Sequence, residues 1–249
     1  MSMLDVIWLI PAFPLLGFLL ILVFGRRLGE PGAGYLAASL VFASFVVAVG
    51  AFFDLRSMDV HDREHVETLF SWVPVDSLQI DMAFLADPLS ITMCLFVTGI
   101  SFLIHLYAIG YMHGDPNFSK FFLYLNLFVL SMTVLVLGEN LLVTFLGWEG
   151  VGTCSYFLIS FWHTRDSAAT AGKKAFVTNR VGDWGVMLAM FLSFSALGTV
   201  SYGALSEAAE FGALEQTTAT GIAVLLFVGA IGKSAQLPLY LGLPDAMEG

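Results

Sequence analysis

The chain has 249 residues, of which 58% are hydrophobic and only 12% charged, with a formal net charge of −10 and a mean hydropathy of +0.85. A soluble domain carries about a quarter charged residues, so this composition cannot clothe a water-facing surface. It also excludes a disordered chain, a disulfide scaffold and a basic nucleic-acid binder. What remains is an all-α polytopic membrane protein. Each span needs roughly 20 apolar residues, which leaves room for about seven spans with short loops.

The first apolar run covers residues 4–24. It lacks a basic leader and a small-residue cleavage site, so it reads as a span rather than a signal peptide. Arg26 and Arg27 follow, then a second run over 34–53. Residues 54–82 form an acidic polar stretch that includes Asp54, Asp59, Asp62, Glu64, Glu67, Asp76 and Asp81. Its end, SWVPVDSLQIDMAF, alternates apolar and polar residues and predicts a short hairpin at the membrane face. A third run spans 84–109, and GYMHGDPNFSK is a turn-rich loop.

A fourth run covers 121–137, and Gly138-Glu139-Asn140 forms a tight turn into a fifth, 141–161. The loop 162–174 carries His163, Arg165, Asp166, Lys173 and Lys174. A sixth run covers 175–198, an acidic loop covers 199–219, and a seventh run covers 220–241, where Pro238 breaks the helix. Arg26, Arg27, Lys120, Arg165, Lys173 and Lys174 then share one side of the membrane, against Arg56 and Arg63 on the other. The positive-inside rule puts the N-terminus and both acidic loops outside.

Cys94 and Cys154 lie inside apolar runs without a CxxC partner and read as small buried hydrophobes. The five histidines have no metal-ligand spacing, so no metal site is expected. His105 reads as structural at the end of its span, and His113 and His163 as solvated loop residues.

Four ionisable residues remain within the apolar runs: Glu149, Arg180, Asp183 and Lys233. Each costs at least about 2.5–3.5 kcal/mol near the bilayer centre unless it faces the bundle interior and finds a partner or water. Glu149 lies about 12 Å into its span, at 1.5 Å per residue from Leu141. Gly147, Gly150 and Gly152 flank it, either for close helix packing or to leave room for a neighbour or a water. Arg180 and Asp183 are i, i+3 and can pair on one helix face. Arg180 is also near enough to the basic loop to snorkel there. Lys233 lies beside the carbonyl freed by Pro238, an arrangement tolerated only where it lines protein or water. Either a structural ion pair or an ion-handling site accounts for these charges.

GWEGVGTCSYFLISFW, KKAFVTNRVGDWG and FVGAIGKSAQLPL, followed by LPDAMEG, resemble the antiporter-like proton-channel subunits of respiratory complex I. The resemblance covers nearly the whole chain. It implies residues 1–118 as an N-terminal three-helix segment and 119–249 as part of the first five-helix repeat, with the seventh helix broken near Pro238. It also implies that Glu149 and Lys233 transfer protons, with Asp183 and Arg180 as supporting charges. Tyr240-Leu241-Gly242 stands where the family has a His-x-Trp type segment, so a local difference in the helix ending is expected. The family's later helices are absent, so the chain is expected to be a fragment or a truncated product.

The implied function is proton translocation in an NADH–quinone oxidoreductase, driven by quinone reduction elsewhere. No GxGxxG, iron–sulfur spacing or flavin signature is present, so no cofactor is expected in this chain. NAD, FMN, iron–sulfur clusters and quinone belong to the partner subunits the family implies. The expected partners are other complex I membrane subunits and the lipid bilayer, with no nucleic acid. The expected location is the cell's inner (plasma) membrane rather than the mitochondrial one. A subunit of a multi-subunit Na⁺/H⁺ antiporter and a structural membrane scaffold are the alternative readings.

Overall fold

A computed structural model describes residues 2–75 and 78–248. After one turn at Leu4–Val6, α1 runs over Leu9–Ser57, followed by strands β1 (His65–Val75) and β2 (Leu78–Ala86). Then come α2 (Pro88–Tyr111), α3 (Phe118–Leu137), α4 (Leu141–Ile159), α5 (Asp166–Leu197), α6 (Tyr202–Glu210) and α7 (Gln216–Lys233). Short 3₁₀ turns at Tyr240–Gly242 and Pro244–Glu248 follow. Among the described residues, five helices are long and apolar enough to cross a membrane: the Leu4–Ser57 run, α2, α3, α4 and α7.

The first two apolar runs belong to one long helical element. Gly29 and Glu30 interrupt it with non-helical backbone, Gly29 at φ 55°. That left-handed conformation costs a residue with a Cβ but not glycine. The two runs are therefore two helical arms that fold back on each other at Gly29 and Glu30, with Ser44 Oγ donating to the Ile10 carbonyl at 2.8 Å. Glu30 braces this reversal, its carboxylate meeting the His113 ring and accepting from the Gly114 N–H at 3.0 Å. α5, the expected sixth span, falls outside the five because it carries Lys173, Lys174, Arg180 and Asp183 along an otherwise apolar helix. It starts at Asp166, earlier than expected, so the basic residues 173 and 174 lie on the helix itself.

The alternating segment does form strands, and β1 and β2 pair in a two-stranded sheet. Asp76 and Ser77, at the expected turn, lie outside the described residues. The seventh helix differs from expectation at its end. α7 stops at Lys233, ahead of Pro238, and Ala235 takes φ 49° just beyond it.

The residues form two compact units, each with its own core. The first comprises 1–69, 83–138 and 146–154. Within it α1 packs on α2 and α3 through small residues such as Ala37, Ala38, Ala48 and Ala51, all buried. A buried polar contact joins α2 to α3, where the Asn126 amide lies 3.4 Å from His105 Nε2. His105 Nδ1 in turn lies 2.7 Å from the Ser101 carbonyl, so the histidine is a satisfied core residue.

The second unit comprises 70–82, 139–145 and 155–249. Its main helix contact is α5 against α7. A Cβ placed on Gly182 would come within 2.9 Å of the Gly232 Cα, so the two backbones touch there. Small residues allow such an approach where larger ones would hold helices apart. A small core of Ile80, Leu141 and Val200 ties β2 and the start of α4 to the segment before α6.

Candidate functional site

α5 carries Arg180 and Asp183 one turn apart, and the close approach of Gly182 to Gly232 sets α7 directly alongside. Lys233 is the residue after Gly232. Its ammonium lies 3.8 Å from Asp183 Oδ1, and an Arg180 guanidinium nitrogen lies 3.5 Å from Asp183 Oδ2. The Asp183 side chain is only 1% exposed, Lys233 18% and Arg180 34%. One fully buried carboxylate thus sits between two cations of unequal exposure. At an effective dielectric of about 20, a pair near 4 Å is worth about 4 kcal/mol, so this local Coulomb attraction is substantial. Arg180 also stacks over Phe176, with the guanidinium carbon 4.6 Å from the ring centroid. That contact adds a favourable cation–π interaction to the partly buried guanidinium.

The expected i, i+3 pairing of Arg180 and Asp183 is present. The contact of Lys233 with Asp183 is one that the sequence analysis did not anticipate. The available signal was that both charges fall within apolar runs. Which helix faces meet depends on packing, and that is not written in either local pattern.

A cleft of about 110 Å³ opens beside Lys233 in the same unit, with Ser155 and Asn179 as polar lining and Gly232, Gly242 and Leu243 around them. Its volume and polar groups suit a few water molecules. The residues after Lys233 leave the helix and return as 3₁₀ turns against α5. Tyr240–Gly242 forms one of them. Lys174 pairs with Asp245 at 2.8 Å and pins the second turn to α5.

Glu149 lies in the first unit, half-buried on α4. Its glycine neighbours serve helix packing. A Cβ on Gly147 would meet the Leu135 backbone nitrogen at 2.3 Å, and one on Gly150 the Ser131 hydroxyl at 2.5 Å. Thr153 donates back to the Glu149 carbonyl at 3.0 Å. Cys94 and Cys154 are both free and buried, in agreement with their reading as packing residues.

The tight turn before α4 holds a polar cluster that its local sequence does not reveal. Asn140 caps α4, its side-chain oxygen accepting from Leu142 N–H at 3.1 Å and Val143 N–H at 3.0 Å. Its amide donates to the Asp81 carbonyl at 3.0 Å. The Glu139 carboxylate accepts from Ser201 Oγ, and Tyr202 donates to Thr144 Oγ1 at 3.0 Å. Burial pushes the Tyr202 hydroxyl pKa above its ordinary value, with the Thr144 contact opposing that shift. These bonds hold the turn against β2 and the start of α6.

Comparison with known proteins places this architecture. A solved Mrp complex from Dietzia sp. DQ12-45-1b superposes with a TM-score of 0.81 over 98% of this chain and 25% of that chain, at 24% identity. The membrane-bound sulfane sulfur reductase, an archaeal respiratory membrane complex, gives a TM-score of 0.77 over 97% and 47%, at 20% identity. At those identities the likeness shows the fold alone. That fold is one of membrane-length apolar helices, here with charges buried between α5 and α7.

Two families narrow the class. "NADH-Ubiquinone oxidoreductase (complex I), chain 5 N-terminus" matches residues 72–122, and "NADH:quinone oxidoreductase/Mrp antiporter, TM" matches residues 138–249. The chain belongs to the NADH:quinone oxidoreductase/Mrp antiporter family that these two descriptions name. NADH-quinone oxidoreductase subunit L of Mycobacterium tuberculosis is 44% identical over 97% of this chain and 38% of its own length. NADH-ubiquinone oxidoreductase chain 5 of Allomyces macrogynus is 41% identical over 95% and 36%. The chain thus spans little more than a third of the length of these relatives.

Proposed function

We propose that this chain is the proton-handling front part of a subunit L type membrane protein of an NADH–quinone oxidoreductase, with Lys233 as its proton carrier. The observation that carries the reading is the Lys233–Asp183 contact at the end of α7, beside a polar cleft. The names of the subunit L and chain 5 relatives supply the complex and its chemistry.

Burial alone favours the neutral form of a lysine, and a close carboxylate favours its charged form. A lysine between these influences switches when the carboxylate moves. With a carboxylate held near, Lys233 keeps its proton. With the carboxylate drawn away, the ammonium gives up its proton to water in the adjoining cleft and becomes a neutral amine. Losing one interior ion pair tips the balance toward the neutral amine. Glu149 is the carboxylate proposed to move, on the strength of the family resemblance. Asp183 is the fixed one, and Arg180 holds it in place. Quinone reduction in other subunits supplies the drive, and no electrons pass through this chain.

In this reading the membrane carries seven passes. The two runs of α1 count separately, α5 is included and the seventh ends at Lys233. The N-terminus faces outward across a bacterial plasma membrane. Residues 1–118 form the leading three-helix segment and 119–249 the start of the first antiporter-like repeat.

The test uses the full-length subunit in its assembled complex, reconstituted in vesicles. Lys233→Ala and Glu149→Ala are expected to abolish NADH-driven acidification while the complex still assembles. Lys233→Arg is expected to assemble and yet not pump, since a guanidinium stays charged and cannot release its proton. Pumping at the wild-type rate in Lys233→Ala would sink the assignment. Transport that persists without NADH and responds only to an imposed ion gradient would favour the multi-subunit antiporter reading.

A further inference from the structure

Besides the cleft at Lys233, a larger one of about 310 Å³ lies wholly within the first unit, between the end of α1 and the start of α2. Its size is at the lower end of the range of about 300–1,000 Å³ found for small-molecule sites. Phe52, Leu55 and Ile91 form its apolar wall, and Arg56, Arg63 and Thr92 its polar side. Among the described residues, no carboxylate lines it.

The chain around this cleft is acidic: Asp59, Asp62 and Glu64 flank the two arginines in sequence without lining the cleft, and two further carboxylates are committed elsewhere. Asp54 accepts from Ser2 Oγ at 2.8 Å and from the Met3 N–H. Asp87 caps α2, accepting from the Ser90 N–H at 2.6 Å. Arg63 is anchored through its Nε–H to the Met58 carbonyl and an Nη–H to the Arg56 carbonyl, each at 3.2 Å. A guanidinium has five N–H donors, so donors remain for an anion. Arg56 is exposed beside it.

Two guanidinium groups over an apolar wall match a phosphate joined to hydrocarbon. Arginine binds phosphate through paired N–H donors, and the apolar wall excludes water from the chain attached to it. The location fits as well, because α1 and α2 are two of the apolar spans and this cleft lies at their ends. The ends of a membrane-spanning helix meet the polar headgroup layer of the bilayer. We propose that this cleft binds the phosphate headgroup of an anionic phospholipid, with Arg56 and Arg63 as its cationic contacts and Phe52, Leu55 and Ile91 along the acyl chain. The proposal rests on the chain being a membrane protein and is independent of how Lys233 works.

The test places the full-length protein in nanodiscs of phosphatidylcholine doped with a phosphatidylglycerol that carries a photoreactive group on its acyl chain. Labelled peptides are mapped by mass spectrometry. Labelling is expected in the segments containing residues 52–63 and 88–92, competed by unlabelled phosphatidylglycerol and not by added inorganic phosphate. Arg56→Gln is expected to weaken it about fivefold, the scale of one basic side chain at an anionic membrane surface. Arg26→Gln, a basic residue outside the cleft, should leave it unchanged. Equal labelling in Arg56→Gln, equal labelling by a phosphatidylcholine probe, or displacement by inorganic phosphate would each overturn the proposal. So would finding these segments cross-linked to a partner subunit instead of lipid in the assembled complex.

Discussion

The Lys233 ammonium stands 3.8 Å from the carboxylate of Asp183, which is buried to 1% exposure on a different helix. A carboxylate this deeply buried is stable as an anion only with cationic or hydrogen-bonding partners. Lys233 and Arg180 approach it from opposite ends of the chemistry: one is able to lose its proton, and the other is permanently charged.

Removing the shared carboxylate should therefore cost more than removing a typical surface ion pair. Asp183→Ala deprives two partly buried cations of it, and breaking a buried pair costs about 3–5 kcal/mol. A lowered thermal midpoint and less assembled subunit on native gels are expected. Replacing both ends, as in Asp183→Leu with Lys233→Leu, should recover much of the stability and none of the pumping. If the double variant is no more stable than Asp183→Ala, the pair does not couple as described.

The contact depends in turn on the backbone approach one residue before Lys233. Gly182→Val places a branched side chain where a Cβ would already lie 2.9 Å from the Gly232 Cα. Overpacking of this kind costs about 1–3 kcal/mol, and here both neighbours are backbone and cannot turn aside. The variant should unfold at a lower temperature and pump poorly, because α7 is pushed off α5. Gly203→Ala is the control, since its Cβ would meet only Ser201 Oγ at 3.9 Å. Equal stability of the two variants would argue against the close approach.

At the other end of the second unit, Asn140 does two jobs at once. It caps α4 and donates to the Asp81 carbonyl. Asn140→Ala should cost about 1–2 kcal/mol for the cap, while Asn140→Ser keeps a capping oxygen but loses the amide donor. The serine variant should fall between wild type and alanine in thermal unfolding. A serine variant as unstable as alanine would show that the bond to Asp81 matters more than the cap.

Much of this architecture was legible in the sequence because the signals are local. The apolar runs, the Gly138-Glu139-Asn140 turn and the alternation around residues 71–84 each reflect hydrogen bonding and burial within a few residues. The reversal at Gly29 was harder to read, since Arg26, Arg27 and Glu30 look like an ordinary loop. The helix runs on either side of two irregular residues, where a left-handed glycine reverses the backbone without a longer connection. The early start of α5 was hidden by Lys173 and Lys174, which lower the hydropathy of a segment that is nonetheless helical.

The candidate site divides along the same line. The sequence by itself identified the four charges that do not belong in apolar runs, because their desolvation cost is a property of residue and depth alone. It also determined the Arg180–Asp183 pair, since an i, i+3 relation is contained within one helix. Only the tertiary structure decided that Lys233 faces Asp183. That pairing joins two helices far apart in the chain. It exists because Gly182 and Gly232 let their backbones meet, an arrangement set by the packing of whole helix faces rather than by the residues on either side of the charge.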